Sequence, residues 1–152
     1  MELDDFDRRI VRRLQHDART PVTALADHVG LSPNATNERL KRLLREGVIT
    51  GFHAAVSPDH TKRSLLIFAE IKLDRTVPDV FDAFAKAALA APEVLECHMV
   101  AGGFDYLIKT RMADMDAYRQ FLSDTLLALP GVRESNTYVV MEEIKSLAVM
   151  PI

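Results

Sequence analysis

The chain holds a single cysteine, Cys97, and no tryptophan. One thiol cannot close an internal disulfide, which excludes the disulfide-stapled scaffolds of small secreted domains. No apolar run approaches the roughly 20 residues that a membrane span requires, so no membrane partner is expected. The opening stretch MELDDFDRR is acidic and lacks an apolar core, so no secretory leader is expected and the cytoplasm is the expected compartment. Metal-site spacing is missing too: His16, His28, His53, His60 and His98 are scattered. There is no glycine-rich phosphate loop and no G-x-S-x-G. Cys97 and His98 are neighbours in a β-favouring run, so they face opposite sides and cannot form a nucleophile–base pair. Glu93, Glu96, Glu142 and Glu143 read as solvated edges. Neither a catalytic site, a metal nor a cofactor is expected.

What is present is a globular composition, 48% hydrophobic and 27% charged over 152 residues, enough for one ordinary domain or two small ones. The net charge of −3 is unevenly spread. Residues 1–63 carry 11 Lys/Arg and 9 Asp/Glu, whereas 64–152 carry 8 and 13. Four bases (Arg39, Lys41, Arg42, Arg45) face one acid, Glu38, within 32–45. A basic face in one half and an acidic other half fit a DNA-reading module joined to a module with another task.

The first sixty residues contain three punctuated helical patterns. In the first, Phe6, Ile10 and Leu14 form an apolar stripe behind Asp4, Asp5 and Asp7, which suit a helix start. The second runs from Thr20-Pro21 to Gly30 and the third from Ser32-Pro33 to Gly47, each with cap, proline and terminating glycine. Only Gly30, Leu31 and Ser32 separate them, and so short a turn predicts a helix-turn-helix over about 24–43. A helical wheel of the third puts Thr36, Leu40, Leu43 and Leu44 inward. Asn34, Asn37, Glu38, Lys41, Arg42 and Arg45 face outward. Asn34, Asn37 and Glu38, near the start that Ser32 caps, are the expected base readers; Lys41, Arg42 and Arg45 are the expected phosphate contacts. Double-stranded DNA is therefore the expected partner. Val48 to Val56 then reads as a short strand pair or connecting strand.

The second half alternates β-α-β-β-α-β: strands over 64–73, 94–101, 104–112 and 132–145, a helix starting near Val77–Pro78, a second over 114–131, and a tight turn at Gly102-Gly103. This is the ferredoxin-like order, and the overall class is α+β. Leu95, Cys97 and Met99 alternate with Val94, His98 and Val100, and Thr137, Val139 and Met141 with Tyr138, Val140 and Ile144. Apolar groups on both sheet faces predict that a second copy covers one of them.

LDDFDRRIVRRLQHDAR, VGLSPNATNERLKRLLREGVITGF, ECHMVAGGFDYLIKTR and LPGVRESNTYVVMEEIK resemble the leucine-responsive regulatory protein/asparagine regulator (Lrp/AsnC) family of prokaryotic transcription factors, from about residue 3 to 148. The likeness leans toward the leucine-responsive branch and its proline-utilisation regulators. It implies a winged helix-turn-helix over 1–57, a hinge over 58–64 and a βαββαβ amino-acid-sensing and oligomerisation domain over 65–152. It also implies a homodimer that assembles further, often to an octamer, and association with the nucleoid. By this resemblance a free amino acid binds at Met99, Ala101, Gly102, Asp105, Thr137, Val139 and Met141. Backbone N–H groups at Gly102 would hold its carboxylate and Asp105 its ammonium, with Met99, Val139 and Met141 lining an aliphatic pocket. Leucine and proline are the first expected effectors, then methionine. Acidic amino acids are expected to bind poorly, because no Lys or Arg stands among these positions. The expected function is an amino-acid-modulated regulator of amino-acid metabolism genes. A ligand-independent DNA-wrapping protein and an enzyme's regulatory subunit are the alternatives.

Overall fold

The computed structural model describes residues 2–146 and 149–152. They divide into two units: residues 1–55 with 145–152, and residues 56–144. Among the described residues of the C-terminal tail, 145, 146 and 149–152 group with the N-terminal helices.

The first unit is built on α1 (Asp5–His16), α2 (Val22–Val29) and α3 (Pro33–Arg45). Asp4 caps α1 by accepting the Asp7 N–H at 2.8 Å, and the Asp7 carboxylate answers the Asp4 N–H at 3.4 Å. Ile10, Leu14, Leu25, Val29 and Leu43 form the core. Arg9 donates to the carbonyls of His28 and Val29, which closes the free end of α2 and ties it to α1. Thr20 does not cap α2; its hydroxyl serves the Asp17 carbonyl and accepts from Arg13. Leu44, expected inside, is 40% exposed, because Leu43 and the fully buried Thr36 already fill the inward side of α3.

No strand forms over 48–56. After α3, Gly47 adopts φ 72°, and the N–H groups of Gly47 and Val48 fall back on the carbonyls of Leu44 and Leu43. Val48 and Ile49 then pack on the core. The rest has no neighbouring strand to share a ladder with, and β-favouring residues alone do not make one.

The second unit holds β1 (Leu65–Leu73), α4 (Val80–Ala90), β2 (Val94–Met99), β3 (Tyr106–Met112), α5 (Met115–Phe121) and β4 (Val132–Val139). The sheet order is β2-β3-β1-β4, and every neighbouring pair is antiparallel. Ile67, Ala69, Ile71, Tyr106 and Ile108 meet Phe84, Tyr118 and Leu126 in one core. Several limits move. α4 begins only after Asp79, whose φ of 52° turns the chain into it. The helical stretch after Asp114 changes to a π-helical turn at Leu122–Leu126. β4 ends at Val139, so Met141 lies beyond the strand and is fully exposed. Glycine is required at 131: its φ is 74°, and a Cβ there would approach Val80 to 2.0 Å.

The helix-free face is less apolar than expected. Phe68, Leu107 and Tyr138 share it with charged pairs: Lys72–Glu134 at 3.1 Å, Lys109–Glu96 at 2.7 Å and Arg111–Glu143 at 2.6 Å. The register explains the difference, since it aligns oppositely charged residues across strands, Lys72 with Glu134 and Glu96 with Lys109.

Candidate functional site

Of the candidate DNA-contacting residues on α3, Asn34, Glu38, Lys41 and Arg45 are exposed and Asn37 is half-buried at their margin. Ser32 caps the helix, its Oγ accepting the Ala35 N–H at 3.2 Å. Lys41 meets Glu38 at 3.0 Å and Arg45 meets Glu46 at 3.4 Å. These pairs are exposed, so they yield readily to a phosphate.

Arg42 is placed differently. Its Nη2 lies 2.8 and 2.7 Å from the two oxygens of Asp7, a carboxylate that is only 1% exposed. Arg39 donates to Asp7 at 2.9 Å and to Asp4 at 2.6 Å, with its guanidinium 5.3 Å from the Phe6 ring centre. The capping bond from the Asp7 N–H and then Arg39 hold the Asp4 carboxyl below the usual carboxylate range. Arg42 is thus engaged inside the unit, locking α3 to α1, rather than standing free for phosphate. A sequence signal for this exists: Asp7, Ile10 and Leu14 fall on one stripe, and an acid on an apolar stripe asks for a buried cation.

In the second unit, Lys72, Leu73, Arg75, Gly102, Asp105 and Arg133 are among the residues lining a cleft of 350 Å³. The Gly102-Gly103 segment is a loop rather than a two-residue turn, closed by the Val100 N–H on the Asp105 carbonyl at 3.0 Å. Neither glycine has a left-handed φ, and a Cβ on either would meet nothing within 4 Å. Asp105 is 6% exposed. One carboxylate oxygen accepts the Leu73 N–H at 2.8 Å, where the β1–β4 register shifts, and the other accepts Arg75 at 2.5 Å. The Leu73 bond first, then Arg75, holds the carboxyl below its ordinary range. Arg75 also lies 5.9 Å from the Phe81 ring centre.

None of the named effector positions is a Lys or Arg, but three cations from outside that set, Lys72, Arg75 and Arg133, line the same cleft. Lys72 and Arg75, at the end of β1 and just after it, and Arg133 in β4 are distant in sequence, and only the strand order brings them to the loop. An acidic side chain in this cleft would therefore have cations within the lining to meet it. Asp105 has prior duties to Leu73 and Arg75, which sequence reasoning missed.

The remaining candidate residues do not converge within one chain. Met99 and Ala101 belong to the β2 side, whereas Thr137, Val139 and Met141 belong to β4 and its continuation, at the opposite sheet edge. Three strand spacings separate these edges, about 14 Å. Met99 is 62% and Val139 42% exposed. The Thr137 hydroxyl points to the helix side and meets Tyr118 Oη at 2.6 Å.

Residues 3–44 match the AsnC-type helix-turn-helix domain, and residues 66–150 the Lrp/AsnC ligand binding domain. The leucine-responsive regulatory proteins of Klebsiella pneumoniae and of Escherichia coli K12 are each 51% identical over 144 residues, covering 95% of this chain and 88% of theirs. Among solved structures, a transcriptional regulator from Neisseria meningitidis in complex with L-methionine superposes with a TM-score of 0.93 at 33% identity, over 99% of this chain and 97% of that one. An AsnC family regulator from Agrobacterium tumefaciens gives 0.92 at 29% identity, over 98% and 97%. With both of its modules matched and 51% identity to the leucine-responsive regulatory proteins, the chain belongs to the Lrp/AsnC family, whose members are transcriptional regulators and not enzymes.

Proposed function

We propose that this regulator reads duplex DNA with the outer face of α3 and that a free aliphatic amino acid, sensed at the cleft beside Asp105, tunes that binding. Asn34, Asn37 and Glu38 read base edges; Lys41 and Arg45, with the Ser32 end of the helix, hold phosphates. The observation that carries the effector reading is the pair Gly102-Gly103. Nothing in the chain's own fold demands glycine there, so the room above the loop is free for a ligand's approach. Arg75, fixed by Asp105, is the group that meets the ligand carboxylate. Unshared lone pairs on Asp105 remain for an ammonium.

Met99, Ala101 and Gly102 complete such a site only if another copy brings Thr137, Val139 and Met141 to face them, since one chain holds the two sets at opposite edges. Sensing is then inseparable from assembly, as a dimer and a higher oligomer up to an octamer, and the protein works on the nucleoid at genes of amino-acid metabolism. The exposed Met99, Val139 and Met141 favour leucine or methionine, with proline next. The leucine-responsive and methionine-complexed relatives are consistent with this choice.

The test is a thermal-shift screen of the twenty amino acids, followed by gel shifts with the best binder. Leucine or methionine should raise the midpoint and alter DNA affinity, and Arg75→Gln should weaken both effects. No response to any amino acid, or a full response in Arg75→Gln, removes the site from this cleft.

A further inference from the structure

The segment Val149-Met150-Pro151-Ile152 carries no polar side chain, and its proline favours extended backbone. An extended segment must still satisfy its N–H and C=O groups. For Met150 a single residue of α1 does so. Gln15 Oε1 accepts the Met150 N–H at 2.7 Å, and Gln15 Nε2 donates to the Met150 carbonyl at 3.1 Å. The side-chain amide thus reproduces the double exchange of an antiparallel pair. Arg12, three residues earlier and on the same helical face, donates to the Ile152 carbonyl. Ile152 packs against the helical core. Beside Met150 runs a cleft of 320 Å³ whose walls include Val11, Leu14, Ala18, Val48, Ile49 and Phe52.

These contacts address backbone: Met150 stays 68% exposed and Ile152 seats its side chain on the apolar core, so the segment is held chiefly through its main chain, as in the capture of an extended peptide. We propose that this face of α1 is a docking groove for a short, extended, apolar peptide, that Val149–Ile152 is its resident occupant, and that occupancy sets how firmly α1 is held in the DNA-binding unit. The effect reaches α2 and α3 because α1 is the helix to which both are fastened, by Arg9 and by Asp7. The proposal needs no effector.

Amide hydrogen exchange on the full chain tests it, using Gln15→Ala, a chain ending at Ser146, and the two combined. Each single change should speed α1 exchange roughly tenfold, the factor for losing one or two net hydrogen bonds, while β1 and β3 stay as they are. Once the tail is gone, Gln15→Ala should add nothing further. Gln15→Glu keeps an acceptor for the Met150 N–H but loses the donor, and should fall between wild type and Gln15→Ala even if the shortened chain does not fold. Wild-type exchange in Gln15→Ala, additive effects in the combined variant, or Glu exchanging as fast as Ala would overturn the proposal.

Discussion

Replacing Asp7 by asparagine keeps its shape and removes its charge. In the structure this carboxylate is 1% exposed and accepts from Arg39 and from Arg42. Removing one member of a buried ion pair commonly costs about 3–5 kcal/mol. Here the loss is smaller. The two arginine side chains are 25% and 39% exposed, and Arg39 keeps Asp4 at 2.6 Å, so both recover some solvation or pairing. About 2–3 kcal/mol remains. For a unit of this size, that lowers the melting midpoint by roughly 10–20 °C. Calorimetry and circular dichroism would record it. Adding Arg42→Met to Asp7→Asn should recover part of the loss, since it removes a guanidinium left without its counter-charge. A midpoint within about 1 °C of wild type for Asp7→Asn would refute the view that this carboxylate organises the helices.

Lys41→Ala should weaken binding to all DNA sequences alike and lower the salt slope by about one ion, measured by fluorescence anisotropy over a salt series. Asn34→Ala should instead relax the preference at one operator position, read from binding to a randomised site library. Asp105 gives a pH signature. The folded protein holds its carboxyl below the unfolded value of about 3.9, so the stabilisation is complete above that value and is lost as acid drives the pH down through the folded one. Urea unfolding of Asp105→Asn should accordingly show a flatter acid limb than wild type, and identical limbs would count against the Leu73 and Arg75 bonds. Burial raises the Cys97 thiol above its ordinary range, so iodoacetamide at neutral pH should alkylate it more slowly than free cysteine.

The helix order, the short α2–α3 turn and the βαββαβ succession were legible because each rests on local periodicity and caps. The limits that moved were those decided by neighbours. Val48–Val56 is β-favouring but finds no partner strand, and β4 ends opposite Ile67, with one further bond from the Val140 N–H to the Leu66 carbonyl. The candidate sites divide in the same way. Asn34, Glu38, Lys41 and Arg45 follow from one helix's wheel and face outward as expected. The wheel misplaces Arg42, because it cannot see that Asp7 from another helix lies within reach. Arg75 and Arg133 carry no local signal at all; their approach to Gly102 is a product of sheet order.

The chain passes from one unit to the other twice, once near residue 55 and again near 144. A single cut in the linker therefore does not yield two whole modules. A fragment ending at Ala55 keeps the three helices but leaves Gln15 and Arg12 without their backbone partners. A hybrid regulator joined at the same point brings a foreign tail to α1 along with its foreign sensor. In recombination between such regulators, the final four residues have to match the DNA-reading parent, although they are inherited with the other.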